Sequence, residues 1–126
     1  MARELTVSRV VAAPPEVVWG LVAHTRHWPA WGPSVRAVDP ADAVVAPGLT
    51  GRVRTAVGPW IGFRVTAVEP GRSWAWSVAG VPATGHRVEP HPDGSRVTFT
   101  VPWWAAPYAA VCAVALRRIG RLTLGR

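Results

Sequence analysis

The chain has 126 residues, nearly half of them apolar, and a formal net charge of +7. That length suits one domain burying roughly two-thirds of its unfolded surface, and that apolar content excludes a disordered chain. The charge comes from fourteen arginines against seven carboxylates, with no lysine, asparagine or glutamine, so it reads as a bias toward GC-rich codons rather than as a nucleic-acid footprint.

Glu4 to Val11 alternates polar and apolar residues closely enough for a strand. Pro14-Pro15-Glu16 then opens a helix, since proline fits the first helical turn and an acid there suits the dipole. The helix runs through Val18, Trp19, Leu21 and Val22 to His24, and Thr25 to Pro33 follows as a short segment rich in tryptophan and proline. A second strand begins over Val35 to Val38, and Pro40 to Gly51 reads as loop. Arg52 to Val57, Phe63 to Glu69 and Ser73 to Val78 read as three strands, the last two joined by a Pro70-Gly71 turn. Thr84 to Glu89 and Arg96 to Val101 flank Asp93-Gly94, a hairpin signal. A helix from about Ala106 to Leu122 closes the chain, with Tyr108, Val111, Cys112, Ala115, Ile119 and Leu122 on one apolar face.

Consecutive hairpins imply an antiparallel sheet, and only the last helix is long enough to cover its apolar face. The expectation is one α+β domain over residues 1–126, a curved sheet wrapped around a C-terminal helix with an apolar space between them. The start Met1-Ala2-Arg3-Glu4 does not read as a signal peptide, and the apolar run Val101 to Leu116 is too short and too proline-rich to span a membrane. With a single cysteine, Cys112, no internal disulfide or multi-cysteine metal site forms, and the expected location is the cytoplasm.

Eight tryptophans in so short a chain exceed what a small core needs. Their places in loops, strand ends and junctions favour walls around a ligand space, since ligand pockets are mostly apolar and aromatic. The plainer reading is that they pack the core.

The segment Val7-Ser8-Arg9-Val10-Val11-Ala12-Ala13-Pro14-Pro15-Glu16-Val17-Val18-Trp19 resembles the strand-to-helix start of the START-related SRPBCC superfamily. His27-Trp28-Pro29-Ala30-Trp31, then Val65 through Trp76, then Gly85 to Pro90 with Asp93 to Thr98, follow in the order of its polyketide cyclase/dehydrase-like branch. The resemblance covers nearly the whole chain and implies the helix-grip fold with an internal cavity for a hydrophobic or aromatic small molecule. It further implies a cyclase/dehydratase-like enzyme of specialised metabolism or, alternatively, a non-catalytic carrier or sensor of lipid-like or aromatic ligands. The terminal helix, ending at Arg126, is short for that family.

No phosphate loop, nucleophile elbow or His-Glu-x-x-His pair is present. His86 is the best acid–base candidate, because it shares strand parity with Thr84 and Val88 and an imidazole can exchange a proton near neutrality. Tyr108 could polarise a ligand carbonyl. Both residues also have a plainer reading as ordinary fold residues. Trp31, Trp60, Trp76, Phe99, Trp103 and Val111 are the expected walls. Cys112 reads as an inert small hydrophobe. His24 and His27 make a poor metal site, so no metal and no cofactor are expected. The expected partner is a hydrophobic small molecule, not a nucleic acid, with room for a weak membrane-surface contact through Trp103, Trp104 and the basic end of the last helix.

Overall fold

A computed structural model describes residues 4–124; the sequence readings on Met1 to Arg3 and on Arg126 lie outside them. The elements are β1 (Glu4–Val11), α1 (Pro15–Ala23), a 3-10 turn (Thr25–His27), α2 (Trp28–Trp31), β2 (Val35–Asp39) and β3 (Thr50–Thr55). They continue with β4 (Trp60–Glu69), β5 (Ser73–Val78), β6 (Val81–His91), β7 (Gly94–Pro102), a second 3-10 turn (Trp103–Ala105) and α3 (Tyr108–Thr123). The sheet is wholly antiparallel in the order β1-β7-β6-β5-β4-β3-β2. The strands after β2 form a meander, and β1 closes onto its last member. The helical segment from α1 through α2 therefore crosses from one edge strand to the other.

Strand alternation sorts the residues. On β7, Ser95, Val97, Phe99 and Val101 are buried, and on β6 so are Thr84, His86 and Val88. Each set points to the concave face, as a period of two requires. The pairing around Trp76 is irregular. A register shift between Val65 and Ala67 on β4 and another between Ala75 and Ser77 on β5 flank it on both sides. Extra residues of this kind bend a strand and increase its twist.

The β5–β6 connection is tighter than the sequence suggested. Val78 pairs with Val81 around Ala79 (φ 53°) and Gly80 (φ 77°). Two central residues with positive φ match the twist of a hairpin. A non-glycine in that region is an unusual turn signal, so β6 begins at Val81 rather than at Thr84.

Helix α3 differs in detail from its expected face. Cys112, Ala115, Leu116, Ile119 and Thr123 are buried, whereas Leu122 is exposed and Val111 is half-buried. The helix packs chiefly along edge strand β1 and less on β7. At Gly120 a Cβ would come within 3.2 Å of Arg9 Nε, so a small residue there lets the helix approach β1. Because α3 lies toward this edge, the concave face over β3 to β6 is left partly open.

Three indoles explain how α1 is held. The last turn of a helix leaves four carbonyls without intrahelical partners. Here Gly20 O accepts from His24 Nδ1 (2.9 Å), and Leu21 O accepts from Trp31 Nε1 (2.8 Å). Val22 O accepts from both Trp28 Nε1 (2.9 Å) and Trp74 Nε1 (3.1 Å), and Ala23 O accepts from the Val45 amide (2.9 Å). Trp28 and Trp74 stack at 5.1 Å with planes 6° apart. Burial of these rings and pairing of their N–H groups are thus one arrangement.

Candidate ligand-binding cavity

An antiparallel meander alternates its connections between two ends. The β3–β4 and β5–β6 turns, the start of β2 and the end of β7 share one end. There a cavity of about 430 Å³ opens between the concave sheet and the first residues of α3. Its inner wall comes from Val53, Ile61, Trp76, Val78, Thr84 and Val101. Val35, Val81, Pro82, Trp104, Ala105 and Tyr108 stand nearer the opening. A smaller recess of about 30 Å³ lies deeper, bounded by Trp31, His86, Phe99, Val111, Cys112 and Ala115. Ser34, Val35, Trp76, Thr84 and Tyr108 border both spaces.

A chain of hydrogen bonds crosses the partition. Trp76 Nε1 donates to Thr84 Oγ1 (3.0 Å), and Thr84 Oγ1 lies 2.9 Å from His86 Nε2. His86 Nδ1 is 3.2 Å from the Trp74 carbonyl, which can only accept. The proton is therefore on Nδ1, and Nε2 accepts the threonine hydroxyl proton. Residues two apart on β6 make this contact because they share a face. Burial pushes the His86 pKa down from its ordinary 6.5 to about 3, and the bond to the Trp74 carbonyl opposes that only in part. The imidazole is thus neutral near neutral pH, with both nitrogens engaged. Phe99 meets it edge-on at 4.8 Å.

Tyr108, the first residue of α3, hydrogen-bonds through its hydroxyl to Ser34, just before β2. This joins the two sides of the cavity opposite the sheet. Burial raises the phenol pKa, and the Ser34 contact opposes the shift in part. Cys112 beside the recess is buried, and burial lifts its thiol to about 11.

The structure gathers six of the eight expected site residues. Trp76 and Tyr108 border both spaces, while His86, Trp31, Phe99 and Val111 border the recess alone. Trp60 and Trp103 are corrections. Trp60 shares parity with Arg64 on the outer face, is 44% exposed and lies against the Arg52 guanidinium at 5.1 Å. Trp103 is 61% exposed in the turn after β7, and its neighbour Trp104 takes the place on the wall. Sequence reasoning missed Ser34 and used Thr84 only as a marker of parity. A threonine two residues from an inward histidine was the available signal for the latter; Ser34 offered none. Among the described residues no cluster of three or more His, Cys, Asp or Glu could hold a metal, and no helix is long and apolar enough to cross a membrane.

A curved antiparallel sheet, a C-terminal helix and an apolar cavity between them define a helix-grip protein of the SRPBCC type. Residues 2–125 match the family model for polyketide cyclase/dehydrase and lipid transport, and the chain belongs to that family. The fold is shared with protein MLL2253 of Mesorhizobium loti, at 15% identity and a TM-score of 0.77 over 95% of this chain and 96% of that one. It is shared also with protein Ms6760 of Mycobacterium smegmatis, at 22% identity and a TM-score of 0.70 over 97% and 91%. Protein XoxI of Bacillus cereus is similar at 18% identity and a TM-score of 0.75, over 100% and 99%. No curated protein matches the sequence.

Proposed function

We propose that the protein binds a neutral, largely apolar or aromatic small molecule in the larger cavity. One observation carries this reading: among the described residues no charged side chain lines the space. Its polar side chains are the hydroxyls of Ser34, Thr55, Thr84 and Tyr108 and the indoles of Trp76 and Trp104. An anionic ligand would shed its hydration shell there with no cation to meet it. A volume of about 430 Å³ lies toward the lower end of small-molecule pockets, roughly 300–1,000 Å³, and suits a fused-ring compound better than a two-chain lipid. The test compares naphthol with naphthoate by quenching of tryptophan emission and by calorimetry. Naphthol should bind at least about tenfold more tightly, a difference of about 1.4 kcal/mol. Equal affinities, or no binding of naphthol or of larger fused-ring alcohols, would refute the reading.

A cyclase/dehydratase-like activity is the second reading, favoured by family membership and by the Trp76–Thr84–His86 chain. In it the cavity holds reacting atoms in place. The neutral His86 Nε2 accepts a proton relayed through the Thr84 hydroxyl, and Tyr108 polarises a carbonyl. His86→Gln should then remove turnover while sparing affinity. A carrier would show no turnover in either form.

A further inference from the structure

The rim of the cavity carries an unusual set of exposed side chains. Val57 in the β3–β4 turn is 89% exposed, and Val81 after the β5–β6 turn is 45% exposed. Trp103 and Trp104 beyond β7 are 61% and 54% exposed, and Tyr108 at the start of α3 is 37% exposed. These positions are far apart in sequence, yet the alternation of the meander brings them to one end of the molecule. Apolar groups exposed together in this way mark an interaction surface.

Charge is distributed in the opposite sense. Glu16 lies in the first turn of α1, Asp39 ends β2 and Asp42 follows it, Glu69 ends β4, Glu89 lies near the end of β6 and Asp93 in the β6–β7 turn. All six belong to the end remote from the cavity. Among the described residues only Glu4, at the start of β1, brings a carboxylate to the rim end. Among the described residues, Arg36 and Arg54, both exposed, lie near that end, beside the start of β2 and the β3–β4 turn. The cluster Arg117, Arg118 and Arg121 is not part of this surface. Helix α3 starts at the rim and runs away from it, so that Gly120 lies over Arg9 and Val11 near the end of β1.

We propose that the rim end docks on the surface of a lipid bilayer, with Val57, Trp103 and Trp104 entering the interfacial layer and the cavity mouth facing the membrane. Indole and phenol rings settle at the boundary between headgroups and acyl chains, where one side of the ring is wet and the other apolar. With Glu4 the one carboxylate among the described residues at that end, repulsion from lipid phosphates is small, and Arg36 and Arg54 can meet them. A neutral ligand dissolved in the bilayer then reaches the cavity without crossing water. That route rests on the neutral-ligand reading, whereas the docking itself does not.

The experiment is co-sedimentation with phosphatidylcholine vesicles, alone and mixed with phosphatidylglycerol, at low and high salt. Tryptophan emission is recorded alongside. The intact chain should pellet with phosphatidylcholine vesicles and shift its emission to the blue. It should still pellet in high salt, where screening leaves apolar insertion as the main attraction. Val57→Asp combined with Trp103→Ser should lower the partition coefficient about tenfold or more. Neither residue lines the cavity, so naphthol affinity in solution should stay as it was. Arg117→Ala with Arg121→Ala should leave partitioning unchanged. The proposal is overturned if the intact chain stays in the supernatant, if high salt or the arginine changes abolish pelleting, or if the rim variant pellets like the parent. It is also overturned if sedimentation velocity shows a dimer that Val57→Asp dissociates, because the surface then belongs to a second copy. Vesicle binding without naphthol binding would refute the ligand reading alone.

Discussion

The His86 imidazole lies against the Trp74 indole, with ring centroids 3.9 Å apart and planes 25° from parallel, and its Nδ1 donates to the carbonyl of that same residue. One residue thus shields the ring and fixes its tautomer. The pair makes His86 part of the fold first, whatever chemistry it also supports.

The first consequence is a pH dependence of stability. The folded His86 pKa is lowered to about 3 from an ordinary 6.5, so below about pH 6.5 the unfolded chain binds the extra proton and the folded chain does not. This contribution to stability is fully present above about pH 6.5 and is lost progressively as pH falls toward about 3. Between about pH 6.5 and pH 5 the loss should be on the order of 2 kcal/mol. Urea titrations across that range should show it, and His86→Gln should flatten the slope. An imidazole resonance of His86 that titrates near pH 6.5 in the folded protein would contradict the assignment.

Thr84→Val should destabilise the protein by about 1–3 kcal/mol. It removes the partner of both Trp76 Nε1 and His86 Nε2 while keeping the side-chain shape. Chemical denaturation measures the cost. A neutral result would mean that water or a rotated side chain replaces the hydroxyl.

Ile119 is fully buried on the inner face of α3. Ile119→Ala should cost about 2–5 kcal/mol, because the cavity it leaves collapses only in part. Arg117→Ala and Arg121→Ala, both at exposed positions of the same helix, should stay within about 0.5 kcal/mol of the parent. Thermal melts of the three variants test the contrast.

Cys112, with its thiol raised to about 11 by burial, should resist alkylation in the folded protein at pH 8. Labelling should become rapid once denaturant unfolds the chain. Fast labelling under native conditions would show that α3 opens locally.

Gly94→Ala should weaken the β6–β7 hairpin by more than about 1 kcal/mol. Gly94 has a φ of 136°, and a Cβ there would stand 2.3 Å from the Val11 carbonyl oxygen. The melting temperature should fall accordingly.

Much of the fold was legible from local pattern. Parity placed His86 with Thr84 and Val88, and all three are buried together. Prolines 14 and 15 located the start of α1, and Asp93-Gly94 located its hairpin. The site was less legible. Alternation says which residues share a face, but a turn with positive φ at Ala79 leaves little trace in composition. Nor does sequence separate Trp103 from Trp104, since which ring turns inward depends on the 3-10 geometry after Pro102. Trp60 missed the cavity because its parity puts it outside, beside Arg52. The face of α3 shifted from Leu122 to Leu116 because the helix leans on β1 at the sheet's edge, and spacing within one helix cannot state where it leans.

The fence of indole N–H groups around the end of α1 bears on how this protein can change over time. Trp28, Trp31 and Trp74 are bound to that helix, so replacing Trp31 strands the Leu21 carbonyl, and replacing Trp28 or Trp74 takes one of the two donors from Val22, besides removing a ring. Val81 and Trp104 near the opening carry no such obligation in the core. Selection can therefore reshape ligand preference at the opening while the floor stays fixed. Close relatives with different ligands should accordingly diverge first around the mouth and last beneath α1.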